Sequence, residues 1–281
     1  MVAALQALQN FTCYVGPERP GPAAFTEEVV KKFIKRNMGI FLIGVGIIAG
    51  YWLLTDGFGI LDSFLFAGPS RVIPAFLKST DKLMEGLWSS LLLLVPAYAL
   101  AVVLGISLGV LIGLFMPLRR NLTPYINAFS AVPVTLITPF AIHVFATFYS
   151  ASVFVIFLGA FWPILGTTVA GVVTIDKRYL ENAATLEIGG VEKMFRVILP
   201  AAAPTIFAGC SVALKFAFIL LTVSEMFGAT SGMGFFVQYY SDFARFDMVI
   251  AGFIFMALIL VGIMWLFDLI RNKALAWTLN S

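Results

Sequence analysis

Charge is what this sequence has least of. Only 12% of its 281 residues are Asp, Glu, Lys or Arg, about half the roughly 25% usual in a soluble domain. A soluble fold of this length is excluded on that ground. Cysteine is nearly absent as well: Cys13 and Cys210 give no disulfide framework. Cys210 is expected to pack inside a helix and Cys13 to be an exposed thiol. The single histidine, His143, rules out a histidine-pair metal site. It also leaves a Ser-His-Asp relay with no acidic residue nearby in sequence. No lysine follows a glycine, so the G-K-[ST] phosphate loop is missing. The chain is therefore expected to be no enzyme, to hold no cofactor or metal, and to bind no nucleic acid.

What is present is apolar. Hydrophobic residues make up 60% of the chain, and several runs reach the ~20 residues that cross a bilayer as a helix. The expected spans are 38–55, 87–116, 122–147, 151–174, 200–227 and 247–270. The fold class is all-α polytopic membrane protein with about six transmembrane helices. Residues 1–37 are expected to form a cytoplasmic tail and an amphipathic helix over 25–37, with Glu27 and Glu28 in its first turn and lysines in its last, as the helix dipole prefers. A transmembrane domain follows over 38–277, then a short tail, 278–281. Residues 56–86 read as a long loop, and 231–246 as a short re-entrant or surface helix.

Lys and Arg placement orients the chain. With the N-terminus in the cytoplasm, the inner segments hold Lys31, Lys32, Lys35, Arg36, Arg119, Arg120, Lys177, Arg178, Lys193, Arg196, Arg271 and Lys273 among others. The outer ones hold only Arg71, Lys78, Lys82 and Arg245. This puts the 175–198 loop inside. That loop is unusual for a connection. Leu180, Ala183 and Ala184 recur at helical spacing, Gly189-Gly190 break the pattern, and Val191, Met194, Phe195 and Ile198 give a second short stripe. Asp176 is placed to cap the first part, and Leu199-Pro200 to end the second. Two amphipathic stripes in one loop suit a socket for a soluble partner; the alternative is a solvated connection.

Polar groups inside the spans point to a path, since burying them in lipid is costly. Lys215 falls midway along the fifth span. It would attract an anion, or else pair structurally or lose its charge. Glu225 lies about ten residues on, roughly 15 Å away along a helix, too far to pair with Lys215 directly; it is expected to cap the outer gate or to bind backbone donors in a structural role. Pro133 and Pro139 break the third span and free backbone carbonyls there, which is tolerated where a cavity is lined. Thr135 and Thr138 stand between them with hydroxyls to offer. His143 is expected to bond a neighbouring helix or a solute. Gly105, Gly109 and Gly113, every fourth residue, suit close helix packing. A secondary transporter or channel driven by an ion gradient is the alternative function, but it would have only Glu225 and His143 as a relay.

Glu181, Ala183, a later glycine, Leu199-Pro200 and Gly209 resemble, in that order, the E-A-A…G…L-P coupling loop of ABC importer permeases. Two positions depart from it: Asn182 replaces an alanine, and Glu187 stands at the expected glycine, with Gly189 and Gly190 expected to supply the turn two residues late. Further matches resemble the branch that imports nitrate, bicarbonate, taurine and aliphatic sulfonates: Gly68-Pro-Ser-Arg-Val72, Leu104-Gly105-x3-Gly109-x3-Gly113, Ser130-Ala-Val-Pro133 through Pro139-Phe140, Phe157-Leu-Gly-Ala-Phe-Trp-Pro163, and Ser224-Glu225-Met226 with Ser231-Gly-Met-Gly234. The resemblance implies a type I ABC importer permease fold in the bacterial inner membrane. It implies docking on an ATPase through Glu181, Asn182, Ala183, Glu187, Gly189 and Gly190. It also implies a second permease copy forming a homodimer, ATPase subunits that bind ATP and Mg, and a periplasmic or lipid-anchored binding protein delivering a small anionic solute.

Overall fold

The computed structural model describes residues 38–39, 42–62 and 64–278. The expected tail and amphipathic helix over 1–37 lie outside these residues, as does most of 278–281. The chain divides into two compact units, Met1–Leu77 and Lys78–Ser281.

In the first unit, the apolar helix α1 (Leu42–Gly57) widens into a π turn over Leu53–Gly57. A second helix, α2 (Pro69–Lys78), buries Val72 and Ala75. Pro69 starts it because the first helical position needs no N–H. The Tyr51 hydroxyl donates to the Ala67 carbonyl at 2.9 Å, and the Ser70 N–H donates to the Asp56 carboxylate at 3.2 Å. These bonds hold the end of α1 to the start of α2. The long loop expected over 56–86 is therefore largely helical from Pro69. The Val72/Ala75 spacing carried that signal, though a proline inside the helix, Pro74, is uncommon there.

The second unit contains α3 (Thr80–Leu114), α4 (Met116–Ser130), α5 (Thr138–Val144) and α6 (Phe148–Val173). After these come α7 (Lys177–Thr185), the long α8 (Gly190–Gly228), α9 (Met233–Asp242) and α10 (Phe246–Ala274). Among the described residues α3, α6, α8 and α10 are long and apolar enough to cross a bilayer, and the bent pair from α4 through α5 makes a fifth span if taken as one. The first expected span, 38–55, corresponds to α1, which is shorter than these.

Helix α6 is the centre of this unit, packed on α3 along one side and α8 along another. Its Ala151, Val155, Ile156, Ala160 and Ile164 are fully buried. Close approach comes from small residues. A Cβ at Gly105, Gly109 or Gly113 of α3 would come within 3 Å of Ile164, Thr168 or Val172 of α6, respectively. The two sets of residues share a four-residue period, so the stripe of small residues seats a matching stripe of branched ones. On the α8 side the relation alternates: Gly159 faces Leu220, Gly209 faces Thr167 and Gly171 faces Thr205.

The third span does not run straight over 122–147, its break falling where Pro133 interrupts it as expected. It bends by 73° between α4 and the segment Val134–Val144, with a 3₁₀ turn over Val134–Ile137 led in by Pro133 and Pro139 in the first turn of α5. Nor does Leu199-Pro200 end a helix. The backbone passes through a π turn, Met194–Ile198, and continues to Gly228, so the second stripe of the 175–198 loop is the foot of α8. A π turn leaves a carbonyl free where the proline has no N–H to give, and so absorbs Pro200 without a break.

Candidate functional site

Three places in the second unit hold the residues singled out above. The first is the α7 turn. The Asp176 carboxylate accepts from the Arg178 N–H at 3.0 Å, capping α7 as expected. Of its nine residues only Ala183 is buried. At the other end the Ile188 N–H donates to the Ala183 carbonyl at 2.9 Å and the Glu187 N–H to that of Ala184 at 3.1 Å. That is the paired bonding of a Schellman turn, and it puts Glu187 in the left-handed region at φ 56°. The bend thus falls at Glu187, where the glycine was expected, rather than two residues late. Gly189 is extended (φ −128°, ψ 175°), and Gly190, at φ 57°, then turns the chain into α8. Glu181, Asn182 and Glu187 are exposed. Leu186 and Val191 stand beside them at 70% and 69% exposure. Asn182 also borders a cavity of about 500 Å³ between α7 and the foot of α8.

The second place is the proline break. Ser130 to Thr135, Gly159, Trp162 and Pro163 of α6, and Phe216 and Ile219 of α8 surround a cavity of about 420 Å³. Trp162 is fixed by a stack on Phe129 with ring centroids 5.5 Å apart. Lys215 is exposed on α8. It shares a helical face with Ile219 of the cavity wall, and it makes no ion pair among the described residues. Thr135 lines the cavity. Thr138 does not: it is fully buried, and its hydroxyl has no partner among the described residues. His143 is exposed, and its Nδ1 lies 2.7 Å from the Pro139 carbonyl of its own helix. That corrects the expected bond to a neighbouring helix. In a helix of seven residues the carbonyl one turn back is the nearest acceptor.

The third place holds Glu225, which is 1% exposed. One carboxylate oxygen accepts from the Ser90 hydroxyl of α3 at 2.5 Å, and the other from the Gly234 N–H of α9 at 2.7 Å. The Ser90 oxygen in turn accepts from the Met233 N–H at 3.0 Å. Glu225 therefore caps the start of α9, where free N–H groups and the helix dipole favour an anion. It lies in the packed interior rather than on the cavity at the break. Nearby, Ser224 donates to Ser152 of α6 at 2.6 Å. Sequence reasoning missed this serine set; the signal was four hydroxyls, Ser89, Ser90, Ser152 and Ser224, inside otherwise apolar runs.

Among the described residues no group of three or more His, Cys, Asp or Glu is arranged to hold a metal ion. The geometry offers an exposed helix-turn on a long lever, a cavity at a helix break with a lone cation beside it, and a rigid polar clamp at the lever's far end.

Comparison with known proteins agrees with this arrangement. The family model for the binding-protein-dependent transport system inner membrane component matches residues 101–274, more than half of the chain. A Bacillus subtilis protein named as an aliphatic sulfonates transport permease, SsuC, is 28% identical over 91% of this chain and 94% of its own length. The taurine transport system permease TauC of Escherichia coli is 30% identical, with 71% of each chain covered. Among solved structures, the MetNI methionine ABC transporter shares the fold at TM-score 0.61 and 18% identity, covering 70% of this chain and 98% of that one. The chain belongs to the inner membrane components of binding-protein-dependent transport systems: it is a multi-pass permease subunit of an ABC importer, of the type I fold, and not itself an enzyme.

Proposed function

We propose that this subunit passes a small anionic solute, delivered by a binding protein, across a bacterial inner membrane, and that its residues 175–198 are the cytoplasmic lever through which ATP hydrolysis drives the passage. A separate ATPase binds the ATP and Mg. The N-terminus is cytoplasmic and two permease copies pair. One observation carries the coupling assignment: the capped α7, its Schellman turn at Glu187 and the exposed Leu186 and Val191 sit at the foot of a helix continuous to Gly228. A push on α7 is transmitted along α8 to Lys215 and the cavity wall, about 37 Å away at 1.5 Å per residue. Glu181, Asn182 and Glu187 present the polar contacts of the docking face, Ala183 packs α7 inward, Glu187 makes the bend, and Gly190 turns the chain into α8. For the solute, Lys215 supplies the attracting charge and Thr135 a hydroxyl at the proline break, while Glu225 fixes α9 and His143 bonds within its own helix.

Leu186→Asp should cut ATP-dependent uptake by at least tenfold in proteoliposomes that carry the cognate ATPase and binding protein, while membrane insertion is kept. Leu186→Cys, with Cys13 and Cys210 replaced by serine, should react with a membrane-impermeant maleimide from the inner face only. Reaction from the outer face would overturn the orientation, and normal uptake by Leu186→Asp would overturn the lever.

A further inference from the structure

The far end of α8 from the lever carries a third pocket, of about 220 Å³. Lys82 and Glu85 of α3 stand on one wall; Ser231, Phe235, Tyr239 and Tyr240 form the others. The Lys82 ammonium donates weakly to the Tyr240 hydroxyl at 3.4 Å and lies 6.0 Å from the centre of that ring. Among the described residues Lys82 and Glu85 form no ion pair with each other, although three residues apart on a helix puts them side by side. A cation and an anion that line one pocket without neutralising each other leave both charges available to a ligand.

The floor of the pocket is rigid. Ser231 is bonded to Ser89 at 2.8 Å. Gly232 lies under the Glu225 carboxylate, and a Cβ at Gly86 would come within 3.1 Å of its backbone. The Glu225 clamp thus holds α9 against α3, and the pocket between them is pre-formed, which lowers the ordering cost of binding.

We infer that this pocket is a reception site for a small zwitterion, whose oxyanion group meets Lys82 and the Tyr240 and Ser231 hydroxyls and whose ammonium group meets Glu85 over the Phe235 and Tyr239 rings. The hydroxyls complete the coordination of an oxyanion that a single ammonium leaves unfilled, and the ring faces attract a cation. Glu85 repels a plain anion, so the site selects the doubly charged ligand over the singly charged one. The location on the receiving side of the membrane rests on the orientation proposed above; the ligand class does not.

The full-length subunit, assembled with its ATPase in nanodiscs, is titrated with taurine, nitrate and ethylamine by calorimetry. Taurine should bind saturably, and nitrate and ethylamine at least about tenfold more weakly, the loss expected when one charged contact is missing. Lys82→Met and Glu85→Gln should each weaken taurine by about tenfold, with Lys82→Arg restoring part of it. Glu85→Gln should at the same time tighten nitrate, a reversal that a merely structural role for Glu85 would not produce. Absence of saturable taurine binding, or binding that both variants leave unchanged, would overturn the site. Uptake in proteoliposomes separates the two claims. Taurine bound through Lys82 and Glu85 but not transported overturns the pocket's role in receiving the transported solute and leaves the importer standing. Transport indifferent to both variants leaves the importer and removes the pocket.

Discussion

Glu187 holds a backbone conformation that costs an L-residue about 1 kcal/mol or more relative to glycine, and it does so on an exposed turn. Glu187→Gly should therefore tighten the end of α7 by about 1 kcal/mol. In hydrogen exchange, the Glu187 and Ile188 amides should be protected about fivefold longer; equal or faster exchange would show that the turn is held by something other than its two backbone bonds. Gly232 is the opposite case. At φ 134° it occupies a region that L side chains rarely adopt, and a Cβ there would meet the Glu225 carboxylate. Gly232→Ala should destabilise by about 2–3 kcal/mol through strain and displace the carboxylate from the Gly234 N–H. A lower thermal midpoint is the expected result; an unchanged one would mean that α9 starts elsewhere. The glycines of the Ser231-Gly-Met-Gly234 run thus let an acid reach the first N–H groups of a helix.

At the level of elements, the stability of this unit depends on how closely α3 and α6 approach. Gly109→Val adds bulk where a Cβ alone would come within 2.6 Å of Thr168. The helices must separate, at a cost of about 1–3 kcal/mol. Gly166→Ala makes a fair control, since nothing lies within 4 Å of its Cβ position; it should leave the thermal midpoint unchanged. If the two variants melt together, the glycine stripe is not the contact. The period-four spacing of Gly105, Gly109 and Gly113 was legible in the sequence, but which helix it would meet was not, because Ile164, Thr168 and Val172 look like any apolar stretch. The bend at Pro133 was legible as an interruption only. Its 73° angle follows from how α4 and α5 pack on α6, and packing is not written in local residue order.

For the whole molecule, the permease role predicts that this chain hydrolyses no ATP alone, and that a cation beside the cavity matters to uptake without mattering to the ATPase. Lys215→Met should lower anion uptake by at least tenfold in the assembled importer while ATP hydrolysis stays within about twofold of wild type, the loss of one charge-assisted contact being worth that much. Undiminished uptake would assign Lys215 to the surface of the helix and nothing more.

Composition, charge placement and motif order determined by themselves that the chain is a helical membrane protein, roughly where its long apolar helices lie, and which loop resembles a docking element. These are local or additive properties, readable one window at a time. The tertiary structure alone decided which donors Glu225 meets, Ser90 and Gly234, that Thr138 is an interior hydroxyl, that Glu187 makes the turn, and that α8 runs unbroken through Pro200. Each of these depends on which distant backbone arrives to accept or supply a hydrogen bond, and no window of sequence contains both partners.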